Sequence, residues 1–171
     1  MSIKAIMREQ STNFLNTKPT GTTPTYALMN KGIESSAVAY NATVNTRHYV
    51  ADKNATQGVT GFAKQLDVTQ FAYKGDACFE YIDDLIYNDA KGSDAETEML
   101  RVFNYRATTE GATTGIPAHL QPVIIQIDSH GGDGGDQLQI GYNVLFNGDP
   151  VKGTVSLVDG VPTFTPEGQE G

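Results

Sequence analysis

The sequence predicts a mainly β protein, an antiparallel sandwich or barrel carrying one flanking helix. Three observations lead there. Apolar side chains alternate with polar ones in several short runs, the period-two signature of strands with one face in a core. Only residues 76–88 show the 3.6-residue apolar period of a helix. Strands and helices do not alternate along the chain, so a parallel α/β sheet is not expected.

In order, Ser11 to Thr25 (STNFLNTKPTGTTPT) is rich in Thr, Asn, Pro and Gly without apolar periodicity. It reads as an arm or loop. Val38, Tyr40, Ala42 and Val44 then alternate with Ala39, Asn41, Thr43 and Asn45, predicting a strand with one buried face. Leu66, Val68, Gln70 and Ala72 predict another. Between them Arg47 to Gly61 forms a long polar connection, and loops of 12 or more residues in a compact domain are usually functional or mobile.

Asp76 is placed to cap a helix in which Cys78, Tyr81, Ile82 and Leu85 share one stripe. Glu80, Asp83 and Asp84 face away from it, and Asn88 to Gly92 offer the left-handed conformations that stop helices. Met99 to Tyr105 is mixed in character, Thr108 to Gly115 is a loop, and Val123, Ile125 and Ile127 begin another alternation. Gln137 to Phe146 is the clearest strand, with Leu138, Ile140, Tyr142, Val144 and Phe146 on its dry face. Asp159-Gly160 between Thr154–Val158 and Val161–Phe164 signals a type I′ hairpin.

The chain has 171 residues, long enough for a real core. No apolar run approaches the roughly 20 residues of a spanning helix. Met1 to Asn16 lacks a basic start, apolar stretch and small-residue cleavage site, so a cytoplasmic protein is expected, in agreement with the lone Cys78. The net charge of -8 disfavours gripping nucleic acid through its phosphates. Charge is also uneven: residues 1–64 sum to +4 and residues 65–171 to -12. Such asymmetry suits a molecule whose copies meet through unlike surfaces.

Candidate chemistry is sparse. His48, His119 and His130 have no HExxH spacing, and Cys78 lacks a partner for a zinc knuckle, so no N/S metal site is expected. Asp128-Ser129-His130 suggests a triad, but adjacent strand residues point to opposite faces, which disfavours proton sharing between Ser129 and His130. Gly131 to Asp136 (GGDGGD) lacks the Lys-Ser/Thr end of a phosphate loop. Asp128, Asp133 and Asp136 offer oxygens to calcium but miss the EF-hand spacing and its closing Glu. A turn between strands explains this run better. Asp76 to Glu98 holds eight carboxylates and one lysine, which reads as a solvated helix face and loop, or as a surface that repels a passing polyanion. No catalytic residue, cofactor or metal is therefore assigned. With no Trp, and most Tyr placed inside by the periodicity, few rings are left for a sugar platform.

Several motifs in sequence point further. They are Phe71-Ala72-Tyr73-Lys74-Gly75-Asp76, Phe79-Glu80-Tyr81-Ile82, Gly92-Ser93-Asp94-Ala95-Glu96-Thr97, and Ile127 through Gly135 (IDSHGGDGG), then Phe146-Asn147-Gly148-Asp149-Pro150-Val151 and Gly153-Thr154-Val155. In order and spacing, from about Tyr26 to Pro166, this pattern resembles the major tail protein of long-tailed bacteriophages infecting Gram-positive bacteria. Arg47 to Thr56 (RHYVADKNAT) resembles the early long loop of that family.

The resemblance implies a structural, non-enzymatic virion protein: an arm over residues 1–25 and a tail-tube β-sandwich over residues 26–171. Such subunits form hexameric rings that stack around a tape-measure protein, between tail initiator and terminator proteins, into a channel through which DNA passes without specific binding. One sheet of each subunit joins its neighbours to line the channel, and the long loop reaches the next ring. Arg47, His48, Tyr49, Asp52, Lys53 and Asn54 are the interface residues expected on that basis. Localisation would be the virion tail, assembled in the host bacterial cytoplasm. Two readings from other classes stand beside it: a monomeric β-sandwich module binding a sugar or protein ligand, and a hydrolase using the Asp128 to Asp136 region.

Overall fold

The computed structural model describes residues 2–168. Its backbone runs through β1 (Ser11–Asn16), β2 (Tyr26–Leu28), β3 (Val38–Ala39), β4 (Ala42–Arg47), β5 (Thr56–Phe62) and β6 (Gln65–Phe71). Then come helix α1 (Ala77–Tyr87) and β7 (Glu96–Phe103), β8 (Ile116–Gly131), β9 (Gln139–Phe146), β10 (Val151–Val158) and β11 (Val161–Pro166). The expected class holds: antiparallel sheets with one flanking helix, in a sandwich.

Sixteen residues long, β8 organises the whole. Along one edge, residues 118–124 pair with β7. Along the other, residues 116–120 pair with β10 and residues 123–131 with β9. The strand therefore belongs to two wings, β2-β1-β7-β8-β10-β11 and β8-β9-β6-β3. A register irregularity between Ile127 and Ser129 bends its far end.

The second wing packs on one face of the first. Leu66, Val68, Ile140, Tyr142 and Val144 meet Leu15, Met29 and Met99 there, and α1 closes the layer with Cys78, Phe79, Ile82 and Leu85. On the opposite face of the first wing, Phe14, Leu100, Val102, Ile116, Ala118 and Val155 form a second core, covered by Tyr26, Leu157 and Phe164. Each fully buried aliphatic side chain contributes about 1.5–3 kcal/mol of transfer free energy. Gly153 is required here, because a Cβ at that position would meet the Phe164 ring at 2.7 Å and the Thr165 carbonyl closer still.

The helix begins as expected: the Asp76 carboxylate accepts from the Phe79 N–H at 2.9 Å. It ends at Asn88, with Asp89 at φ +50°. The Asp159-Gly160 turn has φ of +51° and +77°, the left-handed pair that a type I′ hairpin demands.

Two expectations are corrected. Ser11–Asn16 is not loop but a buried strand between β2 and β7. Its adjacent Phe14 and Leu15 point to opposite faces, one into each core, so no one-sided alternation marks it. The single strand expected over Val38–Asn45 breaks at Asn41 (φ +46°), where the chain leaves β6 and turns outward. Its supposed core face is exposed, with Tyr40 at 45% and Val44 at 51%.

A buried polar network ties α1 to the second wing. Tyr142 OH donates to Gln70 Oε1 at 3.1 Å, and Gln70 Nε2 donates to the Lys31 carbonyl at 2.9 Å and to Asp76 Oδ2 at 3.1 Å. Cys78 Sγ lies 3.8 Å from Tyr142 OH, and burial pushes its thiol up to about 12. Tyr142→Phe strands the Gln70 carbonyl oxygen without its donor. The expected loss is about 1–3 kcal/mol in urea unfolding, against under 0.5 for an exposed control such as Tyr87→Phe.

Candidate self-assembly interface

Residues 39–60 form an unbroken exposed stretch. Within it β4 and β5 pair only with each other, from Ala42↔Phe62 to Arg47↔Thr56, as a two-stranded sheet apart from the sandwich. An isolated two-stranded hairpin is marginally stable in water, so its root matters. At the root, Asn41 Nδ2 donates to the Ala63 carbonyl at 3.0 Å, and Tyr40 stacks edge-on against Phe62 with centroids 5.4 Å apart.

The register sorts the hairpin into two faces. Ala42, Phe62, Val44 and Val59 lie together, and Val44, Val59 and Phe62 are each more than half exposed. Of these, Phe62 is partly covered by the Tyr40 ring. The six residues expected at an interface gather at the far end of this hairpin. Arg47 closes β4, and the turn beyond holds His48, Tyr49, Asp52, Lys53 and Asn54. The Asp52 N–H donates to the Tyr49 carbonyl at 3.0 Å, and His48 Nε2 lies 2.7 Å from the Asp52 carbonyl oxygen. Val50 projects fully into solvent at 109% exposure, and Tyr49 is a little more than half exposed at 55%.

The long connection expected over Arg47 to Gly61 is thus half strand. Sequence reasoning misses β5 because it has no core face to produce a dry alternation. Its only signal is the β-prone Thr56, Val59, Thr60 and Phe62, interrupted by Gly58 and Gly61.

Inward of the root lies a cluster of cations and rings. The Arg101 guanidinium sits 5.3 Å from the Phe103 ring centroid and 5.9 Å from that of Tyr40, and its Nη1 donates to Tyr40 OH at 3.2 Å. Lys64 Nζ lies 5.6 Å from the Tyr40 centroid and donates to Gln121 Oε1 at 3.0 Å. Gln121 in turn donates to the Gly148 carbonyl at 2.7 Å. The His119 ring packs edge-on against Phe103 at 5.0 Å. Each cation–ring contact at a partly exposed site is worth about 0.5–1 kcal/mol. Arg106 and Lys152 lie close to His119 as well, and with Arg101 they come from the half of the chain with net charge -12, so the fold sorts charge differently from the linear sequence.

Two further surfaces are available to neighbours. On the edge of β8 that faces β7, pairing ends at Ile124, and residues 125–131 keep that edge free among the described residues. The outward face of the second wing carries Gln65, Asp67, Thr69, Gln139 and Asn143, beside Asp128 and Ser129. Neither β6, β9 nor residues 123–131 of β8 contain a lysine or arginine.

The sites weighed for chemistry are also placed. Ser129 pairs with Gly141 and His130 with Ile140, so their side chains leave β8 on opposite faces. The Asp128 carboxylate accepts from Asn143 Nδ2 at 3.1 Å rather than from an imidazole. Gly131 to Asp136 is the turn joining β8 to β9, with Asp136 N–H donating to the Asp133 carbonyl at 3.2 Å. Among the described residues no group of three or more His, Cys, Asp or Glu is placed to hold a metal ion. No helix there is long and apolar enough to cross a membrane.

This arrangement is a β-sandwich with an outlying hairpin, and a solved particle contains a chain of similar fold. A chain from the tail of an empty GTA particle, obtained by helical refinement with C6 symmetry, superposes with a TM-score of 0.60. The match covers 85% of this chain and 97% of that one at 10% identity, so what is shared is the fold. A chain of the 6-fold symmetrised anti-feeding prophage (AFP) baseplate aligns at TM-score 0.48 and 8% identity, over 89% of this chain and 97% of that one. No protein-family model and no curated protein matches this chain.

Burial comes first among the causes that hold His119 below the ordinary histidine value, followed by the nearby charges of Arg101, Lys64, Lys152 and Arg106. Its imidazole should titrate below about 6.5 in a proton NMR titration. A lowered pKa means the unfolded chain takes up this proton first. Acidification from about pH 6.5 through the folded value therefore costs stability, and the cost is complete below that value. His119→Gln should remove this part of the pH dependence in unfolding curves, and an unchanged slope would count against the account.

Proposed function

We propose that this chain is the tail-tube subunit of a long-tailed phage, of the kind that infects Gram-positive bacteria, and that it acts by self-assembly rather than catalysis. The observation that carries the reading is the hairpin: 22 successive exposed residues that bury no core of their own, on a fold shared with a C6-symmetric tail. A β-hairpin with Val44, Val59 and Phe62 open to water is a liability in a monomer and an asset in a polymer.

In this reading hexameric rings stack into a tube around a tape-measure protein, between initiator and terminator proteins, and Arg47, His48, Tyr49, Asp52, Lys53 and Asn54 reach the adjacent ring. Copies close each ring by heterologous contacts, the free edge of β8 over residues 125–131 lying against the β3 side of a neighbour. The second wing then lines the channel with its cation-free face. Walls without lysine or arginine release no counterions to passing phosphates, so they do not retain DNA. The protein resides in the virion tail after assembly in the host cytoplasm.

Electron microscopy of concentrated protein, or of the virion, tests the reading directly: a tail shaft built from this chain is the expected result. Replacing residues 48–55 by a two-residue Asn-Gly turn should leave unfolding free energy within about 0.5 kcal/mol while abolishing tubes. In hydrogen exchange, residues 47–61 should be unprotected in the free subunit and protected in the tube, and equal protection in both states would remove the hairpin from the interface. Thr69→Lys should leave tubes intact yet make them retain short DNA that wild-type tubes let pass, as a co-sedimentation assay would show.

A further inference from the structure

Three strands place basic side chains side by side. Arg101 of β7 is directly opposite His119 of β8, and His119 is directly opposite Lys152 of β10. Burial, and after it the charges of Arg101, Lys64, Lys152 and Arg106, disfavour a proton on the His119 imidazole between them. Arg106, from the 3₁₀ turn at Asn104–Arg106, lines the same cleft with Phe103, Tyr105 and the backbone of β10. None of Lys64, Arg101, Arg106, His119 or Lys152 has a carboxylate within 4.0 Å among the described residues, where the ion pairs are Lys4–Glu110 and Lys91–Asp89. Glu167 also lines the cleft, its N–H donating to the Lys152 carbonyl at 2.9 Å while its carboxylate makes no ion pair with the Lys152 ammonium.

The other end of β7 is the reverse. Glu96 and Glu98 lie at its start, on the face opposite Arg101, and with Asp94 they line a second cleft rimmed by Pro19, Pro24 and Pro122. Asp94 and Glu96 are exposed and have no cation within 4.0 Å among the described residues. One strand thus carries an unpaired basic end and an unpaired acidic end on opposite faces, a polarity that matches a second copy head to tail and not face to face.

We propose that the Arg106–His119–Lys152 cleft receives the Asp94–Glu96 corner of a second copy of this chain, as a head-to-tail contact of the assembled polymer. The inference rests on the self-assembly reading and adds to it the two surfaces that meet. A protein carboxylate is favoured over a nucleic acid phosphate because the whole chain carries -8, and residues 76–98 alone supply eight carboxylates against one lysine. Occupation of the cleft supplies the carboxylate that Arg106 and Lys152 lack among the described residues, and the cation that Asp94 and Glu96 lack there, so the contact gains from both sides.

Charge reversal tests it on the full chain. Arg106→Glu with Lys152→Glu, and separately Asp94→Lys with Glu96→Lys, should each raise the critical concentration for polymerisation at least about tenfold by sedimentation. Thermal unfolding and circular dichroism check that each variant is folded. A chain carrying all four reversals restores complementarity and should polymerise near the wild-type concentration. Failure of that rescue overturns the proposal. So does wild-type polymerisation by both two-site variants, which leaves self-assembly standing and removes this contact. If wild-type protein never polymerises at any concentration, self-assembly and this contact fall together. Binding of a short DNA duplex that is lost in Arg106→Glu/Lys152→Glu, with polymerisation unaffected, assigns the cleft to nucleic acid and also overturns the proposal.

Discussion

A strand shared by two sheets cannot slip by a single residue without turning both of their cores outward. That constraint acts on β8. Its early residues place Ile116 and Ala118 in one core, and its later residues place Val123 and Ile125 in the other. β7, β9 and β10 take their registers from it, and β1, β6 and β11 take theirs from those neighbours. Even the helix is referred to this frame, because its capping carboxylate is bonded to Gln70, which Tyr142 of β9 holds in turn. A local change in β8 is therefore read by the whole sandwich.

The hairpin lies outside that frame. Its strands pair with each other alone, and only the Asn41, Tyr40 and Phe62 contacts fix its root. The cationic cluster next to that root gathers Lys64 and Arg101 against the Tyr40 and Phe103 rings and the Gln121 amide. Among the described residues the interior leaves one buried side-chain polar atom, Tyr81 OH, without a partner, whereas the periphery holds an apolar hairpin face, a free strand edge, a basic cleft and an acidic corner. Such a distribution is ill suited to a solitary protein. It suits a subunit whose outer chemistry is completed by copies of itself.

How much of this was legible in the residues depended on whether an element faces one core. β6, β9 and α1 do so, and their alternation or stripe located them to within a few residues, the Asp76 cap and Asp159-Gly160 turn included. β1 serves two cores with adjacent side chains, so its periodicity vanishes. β5 serves none, and only the β-prone residues among its glycines hint at a strand. The break at Asn41 was hidden because Tyr40 and Val44 keep the alternation going on paper after the chain has left the sheet. At the candidate site, the segment was found by its length and polarity and its six residues do share one tip. The Arg101–His119–Lys152 row was invisible because its members are 18 and 33 residues apart in sequence and meet only through strand pairing.

The separation of hairpin from sandwich has an evolutionary corollary. Side chains in residues 42–62 answer to no interior, so substitutions among them are judged by whatever they touch outside the protomer and not by whether the chain folds. If the hairpin is the contact proposed above, its sequence can change in step with the surface that accepts it without disturbing the sandwich beneath. On the proposed self-assembly, divergence concentrated there would keep related subunits from co-assembling.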